Sequence, residues 1–312
     1  MIEYTMGRRK IMDNDNAIVK IMKKIYKRVK FDFDYRGLHI LKENEGNCFI
    51  YEAIINGGPC MIGRGGAVEL RCVQEYLNSG SFSSAIKDEV QVCAGVFPPS
   101  DEILAKFSKY YIECMEKADL LALWSVGAEK KIVEEKCFHT QFTYLKALEP
   151  YYYDEPWSRA LEGKRVLVIH PFSESIKIQY QKRKSLFKNQ AVLPEFRELI
   201  CIKAVQSNAG AIPEYKDWFD ALEYMKNEIK KSDFDVAIIG AGAYSLPLAA
   251  YVKELGKVAV QMSGSTQILF GIKGRRWENI PEISCMFNES WIRPSEQEKP
   301  KDCAKVEGGS YW

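Results

Sequence analysis

The chain has 312 residues, 46% of them hydrophobic and 28% charged, with 44 basic against 42 acidic side chains and a net charge of +2. These are the proportions of an ordinary globular protein; they exclude a disordered or low-complexity chain, and so even a balance of charge gives no support to a nucleic-acid partner. Nine cysteines are scattered without a Cys-x-x-Cys pair beside three histidines (His39, His139, His170), an arithmetic that excludes the usual structural zinc spacings.

The opening Met-Ile-Glu-Tyr-Thr has no secretory leader pattern, and no apolar run approaches the ~20 residues of a spanning helix. A cytoplasmic protein is therefore expected, its thiols serving as small buried side chains. Residues 17–30 read as a basic amphipathic helix, with Ile18, Ile21, Met22, Ile25 and Val29 on one stripe and Lys20, Lys23, Lys24, Lys27, Arg28 and Lys30 on the remaining arc. Two readings of it stand open: a solvated face over a core-facing stripe, and an interfacial helix in peripheral contact with anionic lipid.

Pro59 to Gly63 reads as a buried strand, followed by the turn Arg64-Gly65-Gly66-Ala67-Val68-Glu69 and a helix to about Leu77. Ser100 is the expected N-cap of a helix over 101–117, whose first turn carries Asp101 and Glu102. Apolar strands follow at 119–124, 165–170 and about 200–205, the last ending at Gln206-Ser207, and a long helix is predicted over 215–231. Val236 to Ile239 is apolar without alternation, as a strand covered on both faces must be, and Gly240-Ala241-Gly242 then turns into a helix. Free amides at such a turn attract phosphate. The spacing is Gly240-x-Gly242-x-x-Ser245, without the third glycine of the dinucleotide fingerprint, and the strand 258–260 ends at Gln261 where an NAD site places a carboxylate. Both departures count against a nicotinamide-dependent oxidoreductase.

This order of elements predicts an α/β fold: a Rossmann-like, doubly wound, mostly parallel sheet in 57–280, preceded by an N-terminal helical extension in 1–56 and followed by a C-terminal tail in 281–312 packed on the core. Ligands of such sheets bind beyond the carboxyl ends of the strands. The residues expected there are Arg64 and Glu69, a guanidinium and a carboxylate on a glycine turn; His170, at the end of its strand; Gln206; Gly240 and Gly242, with Tyr244 just after them; and Gln267. Lys273, Arg275 and Arg276 on a glycine-punctuated loop suit a diphosphate, and Trp277 offers a stacking surface. No Gly-x-Ser-x-Gly elbow surrounds Ser173, so a hydrolase triad is not indicated.

Ile62-Gly63-Arg64-Gly65-Gly66-Ala67-Val68-Glu69, taken with Ile238-Ile239-Gly240-Ala241-Gly242-Ala243, resembles the bacterial glycosyltransferases of the GT-D fold type. Val168-Ile169-His170-Pro171-Phe172, Lys203-Ala204-Val205-Gln206-Ser207, Leu269 to Gly274 and the Tyr311-Trp312 ending are similar to uncharacterised proteins encoded among polysaccharide-synthesis genes, a resemblance that spans roughly 57–312. The resemblance implies transfer of a sugar from a nucleotide diphosphate sugar to a glycan or lipid-linked acceptor in surface polysaccharide or glycopeptide synthesis. In the GT-D pattern an arginine is followed by Gly-Asp-x-Glu; Arg64, Gly66 and Glu69 match it, which implies Arg64 and Gly66 holding substrate and Glu69 as the acid/base or metal-linked carboxylate, while His170, at its strand end, is the other catalytic candidate, in the acceptor cleft. Ala67 replaces the aspartate of that pattern. No firm cofactor is therefore expected, only a magnesium or manganese ion held weakly through the donor diphosphate. The other reading is a non-catalytic nucleotide-sugar-binding or scaffold subunit of a polysaccharide assembly complex.

Overall fold

A computed structural model describes residues 22, 25–209, 211, 214–306 and 308–312. The chain divides into two compact units, 1–39 and 40–312. In the first, residues 25–34 are helical, and Met22, Ile25, Val29 and Phe33 are exposed. Lys20, Lys23 and Lys24 of the basic arc predicted for 17–30, with Ile18 and Ile21 of the apolar stripe, lie outside the described residues.

The second unit is built on one sheet of eight described strands, all parallel: β1 (Ile40–Leu41), β2 (Cys60–Gly63), β3 (Leu120–Leu123), β4 (Gln141–Tyr144), β5 (Arg165–His170), β6 (Glu198–Lys203), β7 (Val236–Ile239) and β8 (Val258–Gln261), in the order β1-β4-β3-β2-β8-β7-β5-β6. The doubly wound α/β fold expected from the sequence is the fold observed. Its central strands are wholly buried because helices cover both faces, which is why β2, β3, β7 and β8 read as unbroken apolar runs.

The strand order fixes where the helices go. A right-handed crossover that moves toward the β6 edge and one that moves toward the β1 edge lie on opposite faces. The helices α1 (Glu43–Asn56) and α5 (Ser173–Gln181) belong to the first kind. Their Ile50, Ile54, Ile176 and Tyr180 share one core cluster with Ile62, Ala122, Val168, Ile238 and Val260, the alternate residues of five strands. The helices α2 (Ala67–Ser79), α3 (Asp101–Glu116), α4 (Glu129–Lys136), α6 (Trp218–Lys231) and α7 (Ser245–Glu254) belong to the second and pack against one another. After β8 the chain leaves to the α1–α5 face, where Ile268, Leu269 and Phe270 are buried, whereas after its neighbours β2 and β7 it leaves to the other. Crevices open at such reversals.

Helix starts follow local chemistry. Ser100 Oγ accepts from Ile103 N at 3.3 Å, as expected, and Asp217 caps α6 by accepting from the amides of Phe219 and Asp220 at 2.9 and 3.0 Å. The C-terminal stretch packs on the core through Ile283, Trp291, Val306 and Trp312. The expected boundary at residue 56 needs correction, since residues 40–56 supply β1 and α1 to the sheet and the two compact units meet at 39/40. Residues 43–56 hide this by their polar composition: the helix buries Gly46 and Asn47 beside Ile50 and Ile54. Asn47 accepts from Trp157 N at 2.8 Å and donates to Glu155 O at 2.9 Å.

Candidate functional site

A cleft of about 170 Å³ lies at the carboxyl edge of the sheet. It brings together Arg64, Gly66 and Glu69 from the turn after β2, His170 from the end of β5, Gln206 from beyond β6, Gly240 and Gly242 from the turn after β7, and Gln267 from beyond β8. Trp124, Asn208, Ser263, Gly264, Arg276 and Tyr311 complete much of its wall. A second hollow of about 340 Å³ adjoins it, with Glu149, Ser265, Lys146, Tyr152 and Trp277 in its lining. The two cavities share Arg64, Trp124, Gly264 and Arg276.

Arg64 is the centre of the arrangement. Its guanidinium carbon lies 4.8 Å from the centre of the Trp124 ring, and Trp124 Nε1 donates to Gly65 O at 3.0 Å, so the indole that supports the cation is itself fixed to the turn. Arg64 Nη1 donates to Gly65 O at 3.3 Å, and among the described residues no carboxylate pairs with it. A cation built onto an aromatic plate and held in no ion pair suits an anion. From the backbone, Arg64 N donates to Gln261 Oε1 at 2.7 Å, and Gln261 Nε2 donates to Ser263 Oγ at 2.6 Å. The glutamine that stands where an NAD site has a carboxylate thus ties the turn after β2 to the turn after β8.

Glu69 is the third residue of α2 and only 8% exposed. Its carboxylate folds back over Gly66, the N-cap, where a Cβ would collide with it. This is the place of an acid that complements a helix start, and it borders the cleft at the same time. Gly66 N donates to Tyr111 Oη at 2.9 Å.

His170 is buried, and burial pushes its imidazole down to about 3, so it is neutral at physiological pH. Nδ1 accepts from Phe172 N at 3.0 Å, which places the single ring hydrogen on Nε2. His170 therefore presents a donor at Nε2. Gln267 is the complementary case. Its Nε2 donates to Ile272 O and Tyr311 O, both at 3.2 Å, while its Oε1, like Asn208 Oδ1, is buried with no partner among the described residues. Two acceptors without donors border the same cleft.

The glycine turn after β7 is less open than its sequence suggests. Gly240 N donates to Ile169 O at 2.9 Å and Ala241 N to Ser245 Oγ at 2.7 Å, so both of these amides are internally satisfied. At Gly240 a Cβ would lie 2.6 Å from Ser263 O and Thr266 Oγ1 and 2.7 Å from His170 Cδ2; this glycine is required by packing. Gly242 holds φ +56°.

Several expected residues fall elsewhere. Tyr244 is buried, stacked on Trp218 with ring centres 4.9 Å apart, its hydroxyl 2.9 Å from Ser207 Oγ; a large aromatic beside a helix start was drawn into the core. Lys273 joins a bridge through its amide to Ile292 O at 2.7 Å, and neither it nor the exposed Arg275 borders either cavity. Trp277 is buried and borders the second hollow, outside the first. From this basic loop, Arg276 is the cation at the shared wall, 4.7 Å from the Tyr311 ring centre. The one-turn offset follows from the short helix Arg275–Glu278, which points successive side chains in different directions.

Among the described residues no group of three or more His, Cys, Asp or Glu side chains is placed to hold a metal ion, and no helix is long and apolar enough to cross a membrane. Fold and cleft together define a doubly wound α/β protein with a crevice at the carboxyl edge of its sheet, where ligands of such sheets bind. Comparison with family models, with curated proteins and with solved structures found no match.

Proposed function

We propose that the chain is a glycosyltransferase of the GT-D type, moving a sugar from a nucleotide diphosphate sugar to a glycan or lipid-linked acceptor in surface polysaccharide or glycopeptide synthesis. The observation that carries this reading is the shared wall: Arg64 and Arg276 stand between two adjoining hollows, so a ligand spanning both would rest its middle on the cations. A nucleotide sugar has that layout, with a diphosphate between a nucleoside and a hexose. Each hollow alone is at or below the lower end of the ~300–1,000 Å³ typical of small-molecule sites, which favours a ligand occupying the pair. In the first cleft the acceptors Gln267 Oε1 and Asn208 Oδ1 and the donor His170 Nε2 suit the edges of a nucleoside.

Divalent metal belongs to this reading only in a secondary role. Ala67 leaves Glu69 as the acid of the turn, so a magnesium or manganese ion would draw most of its oxygens from the diphosphate and water. The second reading, a non-catalytic nucleotide-sugar-binding subunit, is favoured by the same Ala67 and by the Glu69 carboxylate lying over Gly66. Peripheral contact with anionic lipid through residues 17–30 is supported by the exposed Met22, Ile25 and Val29 beside Lys27, Arg28 and Lys30, and co-sedimentation with phosphatidylglycerol vesicles tests it.

A thermal-shift screen of UDP, GDP, dTDP and their hexose conjugates against NAD(H) tests the donor. At 100 times its dissociation constant a true ligand adds ~2.7 kcal/mol. Stabilisation by one nucleoside diphosphate series is expected; stabilisation by NAD(H) alone would overturn the reading. Release of nucleoside diphosphate with time separates the enzyme from the binding subunit.

A further inference from the structure

We infer that Glu149, in the second hollow, is the carboxylate that takes the proton of the attacking hydroxyl, which makes that hollow the place where hexose and acceptor meet. The inference rests on the donor reading above and adds its chemistry. Glu149 follows β4 and stands between two short 3₁₀ turns, Leu145–Leu148 and Pro150–Tyr152, which set it at the carboxyl edge of the sheet. There Ser265, delivered by the turn after β8, donates to Oε1 at 2.8 Å and fixes the carboxyl group. Tyr151 also reaches the carboxyl group, and Glu149 forms part of the hollow's lining.

Glu149 is half-buried, and a carboxylate taken this far out of water in a purely structural role is normally paired. Among the described residues Glu149 is in no ion pair, although Arg64, Lys146 and Arg276 line the same hollow. Burial raises its pKa above the ordinary glutamate range, outweighing the pull of Ser265, Tyr151 and Arg64 in the other direction. A carboxylate of raised basicity, fixed through Oε1 in the wall of a hollow that it shares with an anion-binding guanidinium, has what a general base needs. Glu69, by contrast, has its carboxylate turned back over its own helix start.

The step balances as a single displacement. The acceptor oxygen bonds to the anomeric carbon as that carbon's bond to the phosphate oxygen breaks. The hydroxyl proton passes to Glu149 Oε2, and the electron pair leaves with the nucleoside diphosphate, whose added charge rests against Arg64. The anomeric centre inverts.

The test uses the full chain with UDP-glucose, UDP-galactose, UDP-N-acetylglucosamine and GDP-mannose as donors and a mixture of methyl glycosides as acceptor, reading nucleoside diphosphate release from pH 5 to 9. Glu149→Gln keeps an oxygen for Ser265 to bind. It is expected to lower turnover ~100-fold or more and to abolish the acidic limb of the pH profile, while UDP and GDP affinity stay within about twofold. Ser265→Ala should move that limb to higher pH without abolishing turnover, a shift a merely structural carboxyl would not show. Unchanged turnover and pH profile in a folded Glu149→Gln protein that still binds the donor would overturn this inference and leave the donor reading standing. A wild-type protein that binds none of the nucleoside diphosphates removes both.

Discussion

The turns after β2 and β7 look alike in sequence, each a buried strand running through glycines into a helix, and they do different work. The first holds a guanidinium against Trp124 at the edge of both cavities. In the second, Gly240 N and Ala241 N are bonded within the protein and Gly240 is wedged among Ser263, Thr266 and His170. Glycines at a strand end therefore report either of two needs, approach by a ligand or approach by the protein's own backbone, and spacing does not separate them.

The comparison can be broken most forcefully at Gly240. Adding a methyl group there should cost about 3 kcal/mol in chemical denaturation, because a backbone carbonyl is among the atoms that must shift. A Gly240→Ala protein of unchanged midpoint would show that the second turn has slack. Arg64→Ala tests the first turn from the opposite side: nucleoside diphosphate affinity by calorimetry should fall roughly 10- to 100-fold, the range of a charged hydrogen bond of about 1.5–3 kcal/mol, with folding stability changed by less than about 1 kcal/mol. Equal affinity would remove the anion from the shared wall.

His170, pressed against Gly240, supplies a pH test. Its folded pKa of about 3 lies below the unfolded value of about 6.5, so between these the unfolded chain binds the extra proton. Stability from this group is full above about pH 6.5 and is lost as pH falls toward 3, at up to about 1.4 kcal/mol per pH unit. The difference in stability between wild type and His170→Gln should narrow over that window as the solution is acidified; a constant difference would mean an imidazole that titrates normally. The smallest effect is expected from Ser245→Ala, which strips the bond to Ala241 N at a cost of about 1 kcal/mol. Donor affinity should not change, since that amide faces the protein, and a gain in affinity would show that the amide is available to phosphate.

Much of the sheet was legible because β2, β3, β5, β7 and β8 are buried on both faces and leave apolar runs no loop would carry. β1 and β4, neighbours at one side of the sheet, were not. β1 is two residues long, and β4 buries Phe142 and Thr143 between exposed Gln141 and Tyr144, too short a record for a period to emerge. Arg64, Glu69 and His170 could be placed at the carboxyl edge because they directly follow strands. Glu149 could not: its significance lies in a bond to Ser265, 116 residues away, and in burial that no local pattern encodes. Trp124 was visible as a strand end, yet only the fold brings it over Arg64. In the basic loop the sequence showed that cations were present, and the direction of a single helical turn decided that Arg276 reached the wall while Lys273 and Arg275 did not.

Gln261 joins the two central turns through one amide group, accepting from Arg64 N and donating to Ser263 Oγ. Mechanically the two lips of the crevice are thereby coupled, since neither can swing outward without breaking a partly buried hydrogen bond. A ligand arriving at the wall meets loops whose ordering entropy was already lost in folding, so its affinity is less eroded by freezing the receptor. The same coupling predicts recognition by a preset shape, with slow exchange of poorly fitting sugars excluded at entry and little closure after binding.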